Sequence, residues 1–327
     1  MFDALLAEKS EDGLQSIALR QLSEEQLPPG DVTVRIEYSA LNYKDALALT
    51  GNGPILRSFP IVPGIDFAGT VENSSCLRFS PGQKVILNGW GAGEKHWGGF
   101  SGLARVPGEW LVPLPSAFTT RQAMALGTAG YTAMLCVRML QKQGVTPGCG
   151  DILVTGATGG VGSVAVMLLA RLGYNVTAVT GRMEEKDTLL SLGACNVIPR
   201  QSFEGQIRPL EKARWAGAID VAGGKMLAAV CASMQPSGVV AACGLAAGMD
   251  LPATVAPFIL RGVILAGVDS VYCSQSERLA AWQDLAALTD SAKLESVTTE
   301  ISLLQAVSEA EKLLNGQVKG RVVVKVA

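Results

Sequence analysis

The sequence predicts an α/β protein in which a doubly wound parallel sheet is inserted into a β-rich domain. Three observations carry this. The stretch Val154-Thr-Gly-Ala-Thr-Gly-Gly-Val-Gly162 follows the apolar run 152–154 and opens the apolar, alanine-rich segment 163–172, the strand–glycine turn–helix order that a dinucleotide fold needs. A regular alternation of strand and helix patterns continues to about residue 267. No such alternation occurs in residues 1–125, where short strand patterns are separated by proline and glycine.

In chain order, Val32, Val34, Ile36 and Tyr38 alternate with polar neighbours and read as a half-buried strand. Pro28, Pro29 and Gly30 punctuate before it, and Pro60, Pro63, Gly64, Pro81 and Gly82 after it. Residues 84–87 and 102–106 supply further strands. Residues 121–141, rich in alanine, leucine and methionine, read as helical on either side of Gly127 and Gly130. Strands at 152–155, 175–180, 196–198, 217–221, 238–242 and 263–267 then alternate with helices at 161–172, 184–192, 224–234 and 254–261. Such a rhythm belongs to a parallel sheet covered on both faces. Helices at 277–289 and 303–315 and a strand at 321–326 return to the first style. The partition expected is therefore 1–122 with 269–327 as one domain and 123–268 as the inserted one.

Composition narrows the function. With 327 residues, 48% hydrophobic and 17% charged, the chain can fill two large cores, and its mean hydropathy is +0.29. A net charge of -2 gives no electrostatic footprint for nucleic acid. The N-terminus lacks the pattern of a signal peptide, and no apolar stretch is expected to reach the roughly 18 residues of a membrane span, so a cytoplasmic protein is expected. Seven scattered cysteines, none in a CxxC pair, suit reduced thiols, and a single histidine, His96, leaves little material for a metal site.

The glycine turn alone fits two enzyme classes. A short-chain dehydrogenase would require Tyr-x-x-x-Lys, and none of Tyr38, Tyr43, Tyr131, Tyr174 and Tyr272 has lysine four positions on. The cofactor preference is read at the end of the second strand of the unit. An NAD site places an acid about 20 residues beyond the glycines; here Thr180-Gly181-Arg182 stands there instead. Arginine pairs bidentately with phosphate, so Arg182, with Thr180 and Arg200, favours NADPH.

The chain resembles the medium-chain dehydrogenase/reductase superfamily, and within it the zinc-independent, quinone-oxidoreductase-like branch that includes NADPH-dependent acryloyl-CoA reductases. The resemblance rests on Ser39-Ala-Leu-Asn-Tyr-Lys-Asp-Ala46, Pro63-Gly-Ile-Asp-Phe-Ala-Gly69, the segment from Gly89 to Gly99 with its Gly-Trp-Gly and His-Trp-Gly-Gly ends, Gly127-Thr-Ala-Gly-Tyr-Thr-Ala133, Thr180-Gly-Arg182 and Val268-Asp-Ser-Val271. It implies a GroES-like domain for the flanking parts. Where zinc alcohol dehydrogenases carry a cysteine ligand this chain has Asn42, and where they carry Gly-His-Glu it has Gly64-Ile65-Asp66. The third position falls among 127–130, which lack cysteine and histidine. Without that Lewis acid, hydride addition to an activated C=C bond, or to a quinone, remains feasible.

The resemblance implies reduction of acryloyl-CoA to propanoyl-CoA by NADPH. The alternatives are a quinone or enone reductase of broad specificity and a non-catalytic NADPH-binding protein. Tyr43 is the candidate beside the reacting centre, as proton donor or as a packing contact of the nicotinamide. The implied cofactor contacts are Thr158, Gly159, Gly160 and Val161 at the pyrophosphate, and Thr180, Gly181 and Arg182 at the 2′-phosphate. Arg200 is placed on the adenosine side, Leu245 and Val268 at the nicotinamide, and Thr128 and Thr132 in the same cleft. Arg321 suits a phosphate or a surface salt bridge. Homodimerisation through the edge at 263–268 is expected.

Overall fold

The computed structural model describes residues 1–326 and divides into two compact units. The first consists of Met1–Thr128, Ser270–Ala286 and Glu295–Ala327; the second of Ala129–Asp269 and Ala287–Leu294. The second unit thus begins at Ala129 and also takes Ala287–Leu294, a piece of the tail.

The second unit holds a six-stranded, all-parallel sheet. Its strands lie side by side as Asn196–Pro199, Val176–Thr180, Asp151–Val154, Trp215–Asp220, Met234–Ala242 and Ile264–Gly267. In chain order that is 3-2-1-4-5-6, the doubly wound arrangement. Its central strands are apolar on both faces, with Ile152, Leu153, Val154, Val239, Val240 and Ala241 all fully buried, as a sheet covered on two sides requires. Helix Gly160–Arg171 sits hard against the turn before it. A Cβ on Gly162 would stand 2.7 Å from Ala157 Cα, so only glycine permits that closeness.

The first unit is built on a seven-stranded sheet. Val32–Leu41 is its hub, pairing antiparallel with Asp66–Ser74, Leu103–Val106 and the late strand Arg321–Lys325. Lys84–Asn88 and Leu111–Pro113 extend one side and Thr298–Ser302 the other. The strand expected at 31–38 runs on to Leu41, which brings its end to the start of helix Tyr43–Thr50. The hairpin Phe2–Lys9 with Gln15–Leu22 and the strand Asp66–Ser74 were not expected from the sequence, because adjacent apolar residues such as Ala4-Leu5-Leu6-Ala7 and the glycine Gly69 break the alternation.

One helix, Thr120–Lys142, has the length and mean hydropathy of a membrane span, contrary to the expectation that none would. It is a core helix, with 83% of the relevant window buried, and it is broken where Gly127 takes φ 51° and ψ −156°.

Candidate functional site

In the second unit, the residues expected to hold nucleotide gather at one edge of the sheet. Thr158, Gly159, Gly160 and Val161 follow strand Asp151–Val154; Thr180 ends Val176–Thr180, and Gly181 and Arg182 come next. Arg200 follows Asn196–Pro199. Leu245, 54% exposed, and Val268 come after two neighbouring strands that pair through Ala242 and Gly267. All strands being parallel, these are all carboxyl ends. The strand order reverses between Asp151–Val154 and Trp215–Asp220, and ligands of such sheets bind outside the strand ends at that reversal.

The side chains there are already organised. Arg182 donates from its amide to Thr180 Oγ1 (2.9 Å) and from Nε to Thr158 Oγ1 (3.2 Å), and the two threonine oxygens are 3.2 Å apart. Arg200 lies over Gly181, its Cζ 3.3 Å from where a Cβ would be, and makes only an exposed ion pair with Glu204. One guanidinium therefore lies over Gly181, and the other is tied to Thr158. At the reversal itself, Thr155 Oγ1 donates to Asp220 Oδ1 (2.7 Å) and accepts from the Val221 amide (3.1 Å). Burial raises the Asp220 carboxyl above the ordinary range. This pair was not foreseen; the polar end of the apolar run Trp215–Asp220 was its only signal.

In the first unit, the segment carrying Tyr43 is pinned by a buried polar cluster. Asn42 caps helix Tyr43–Thr50 and donates from its amide to Asp45 Oδ2 (2.9 Å). Asn42 Nδ2 donates to Asp45 Oδ2 and to Asp66 Oδ2, each at 2.9 Å. Asp45 Oδ1 accepts from the Ile65 amide at 2.9 Å. Asp66 further accepts from Asn88 Nδ2 (2.6 Å), the Thr128 amide (2.7 Å) and Thr128 Oγ1 (2.5 Å). Burial, and then the neighbouring Asp66 charge, push the Asp45 carboxyl up to about 7. Tyr43 itself, first residue of its helix, is 44% exposed.

Two expectations change here. Arg321 is no surface salt bridge: it is 3% exposed, with Nε donating to Ala125 O (2.8 Å) and Nη1 to Asn42 Oδ1 (3.3 Å). It enters the interior because strand Arg321–Lys325 pairs with the end of Val32–Leu41, beside Asn42. Only Nη2 is left without an acceptor for a phosphate. Thr128 gives both its hydrogens to Asp66, and Thr132 is 4% exposed.

The glycine-rich stretch from Gly89 to Gly99 is held from beneath. Arg278, fully buried, places its guanidinium 4.8 Å from the centre of the Trp90 ring and donates to Asn88 O (2.6 Å). Trp282 Nε1 donates to Asn88 Oδ1 (3.1 Å). His96 spends its ring nitrogens on Trp97 O (3.0 Å) and Pro29 O (3.3 Å), with its ring edge-on to Trp110. It shapes the loop.

Residues 28–116 match the model of the alcohol dehydrogenase GroES-like domain, and residues 160–287 that of the zinc-binding dehydrogenase domain. The acrylyl-CoA reductase AcuI of Ruegeria pomeroyi is 53% identical over 328 residues, spanning 100% of this chain and 99% of its own. The chain belongs to the medium-chain dehydrogenase/reductase family. Among solved members, Escherichia coli K-12 YhdH with bound NADPH superposes with a TM-score of 0.96 at 54% identity, covering 99% of this chain and 100% of that one. Bacillus subtilis yhfP with NAD bound gives 0.95 at 44% identity, covering 99% of each.

Zinc in the name of the second domain does not suit the donors present. A zinc site of this family asks for thiolate, imidazole or a free carboxylate. Here Asn42 offers an amide already committed on both its atoms, and both oxygens of Asp66 are taken by internal donors. Among the described residues no group of three or more His, Cys, Asp or Glu is placed to hold a metal ion.

Proposed function

We propose that this member of the medium-chain dehydrogenase/reductase family reduces the activated C=C bond of acryloyl-CoA to propanoyl-CoA with NADPH, without a metal. The observation that carries the cofactor half is the set Thr158, Thr180, Arg182 and Arg200 near Gly181, with an arginine where an NAD site would place its acid. The acceptor half is supported by full-length similarity to a reductase of acrylyl-CoA.

Bound NADPH supplies hydride to the β-carbon. Thr158, Gly159, Gly160 and Val161 offer the helix start of Gly160–Arg171 to the pyrophosphate, where partial positive charge favours an anion. Leu245 and Val268 would offer apolar surface to the nicotinamide. Tyr43 stands beside the reacting carbon and can protonate the α-carbon of the enolate, whose charge the thioester oxygen carries. Residues 123–268 bind cofactor in this reading, and 1–122 with 269–327 bind substrate.

A homodimer forms through edge strand Ile264–Gly267 and the adjoining helix Ala256–Arg261, where Ile259, Leu260 and Ile264 are 72%, 67% and 39% exposed. Seven free cysteines suit a reducing cytoplasm.

The test follows NADPH oxidation by purified protein with acryloyl-CoA, crotonyl-CoA and a small quinone, with NADH as comparator. Fast turnover of acryloyl-CoA with NADPH is expected. Turnover of quinone alone would defeat the acyl-CoA assignment, and turnover of none would leave a nucleotide-binding protein.

A further inference from the structure

We infer that Asp66 is a positioning residue for this reduction, its carboxylate fixing the helix start that carries Tyr43 against the helix start that carries Thr128. The inference rests on the reading above that Tyr43 stands at the reacting carbon.

Gly127, at φ 51° and ψ −156°, interrupts helix Thr120–Lys142, so Thr128 begins a new helical run. Asp66 Oδ2 takes that amide at 2.7 Å, and Oδ1 takes the Thr128 hydroxyl at 2.5 Å. Although 62 positions away in sequence, Asp66 acts as the N-cap of this run. The same carboxylate accepts from Nδ2 of Asn42, the N-cap of the helix opening at Tyr43. With Asn88 Nδ2 it has four donors, about as many as a carboxylate can satisfy.

Two helix N-termini thus converge on one buried anion, an arrangement their dipoles favour. Space is fitted as closely as charge: a Cβ on Gly127 would fall 2.7 Å from Asp66 Oδ2 and 2.8 Å from Arg321 Nη2. Asp45, the other buried carboxylate, faces the charges of Asp66 and Arg321 and holds only Asn42 and Ile65. Asp66 alone spans both helix starts.

Asp66→Asn keeps the shape and turns one acceptor into a donor facing other donors. In the full-length protein, kcat with acryloyl-CoA is expected to fall at least tenfold while KM for NADPH stays within twofold. Peptide-resolved amide exchange should quicken together in 43–50 and 128–134, by about tenfold, with 151–154 and 176–180 unchanged. A kcat within twofold of wild type, or faster exchange in one segment only or throughout the chain, would overturn the inference. If Asp66→Asn does not fold, Thr128→Val removes one of the four hydrogen bonds, and a threefold or greater loss of kcat with the same paired exchange is expected; no change in either overturns it. Wild-type protein inert towards every acceptor would defeat the proposed function instead, and the exchange measurement would then decide the positioning claim by itself.

Discussion

On the proposed reading, Arg182 and Arg200 would make cofactor choice a property of two side chains. Each offers a planar fork of donors, and Arg182 is already aligned by Thr158 and Thr180. Arg182→Ala should raise KM for NADPH by about 10- to 100-fold, the worth of one or two charge-assisted hydrogen bonds, and leave KM for NADH within about threefold. Steady-state kinetics with both cofactors checks this, and equal effects would remove the 2′-phosphate from Arg182. Asp45 gives a second prediction at this scale. Its carboxyl ionises near 3.8 when unfolded and is held up to about 7 when folded. Between these values the folded chain keeps a proton that the unfolded chain releases. Its contribution is therefore present in full below about pH 4 and lost as pH rises to about 7, roughly 4 kcal/mol in all. Asp45→Asn removes that titration, so urea midpoints at pH 5 and pH 8 should lie closer together in the variant than in wild type. An unchanged gap would show that other groups set it.

Elements were legible where one physical rule governed them. The parallel strands are mostly apolar and bounded by turns, and the structure gives Val176–Thr180, Asn196–Pro199 and Ile264–Gly267 within about a residue of the expected places. Helix Ala306–Leu314 begins three residues later than expected, because Leu303–Gln305 forms a tighter turn capped by Ser302. Gly127 shows the limit. Composition alone made Gly127 and Gly130 equivalent breaks, yet only Gly127 leaves the helix, at a place where a side chain would meet Asp66 and Arg321. Gly127→Ala should therefore destabilise by about 3 kcal/mol or more, from backbone strain with a steric clash added. Thermal unfolding measures it, and the same change at Gly130 should cost far less; equal losses would argue against a special role for Gly127.

At the scale of the whole molecule, the residues proposed for nucleotide could be picked out because most lie within a few positions of a strand end. The Asp66 cluster could not. Its members, Asn42, Asp45, Asp66, Asn88, Thr128 and Arg321, come from five separate stretches, and only sheet pairing brings them together. The proposed homodimer would use a different surface. With a chain of 34.1 kDa, light scattering should report twice that mass, and Leu260→Glu with Ile264→Lys should halve it. A native protein that scatters as a monomer would retire the edge interface. The late arrival of Arg321 also has a consequence for biosynthesis. Asn42, Asp45 and Asp66 leave the ribosome some 255 to 279 residues before Arg321, the cation that faces the two carboxylates. At ordinary elongation rates that gap lasts about 13 to 56 s. Throughout it the nascent first unit carries two carboxylates with no buried partner charge and an open edge on strand Val32–Leu41, so a stalled ribosome leaves a chain that chaperones and proteases can distinguish from a finished one.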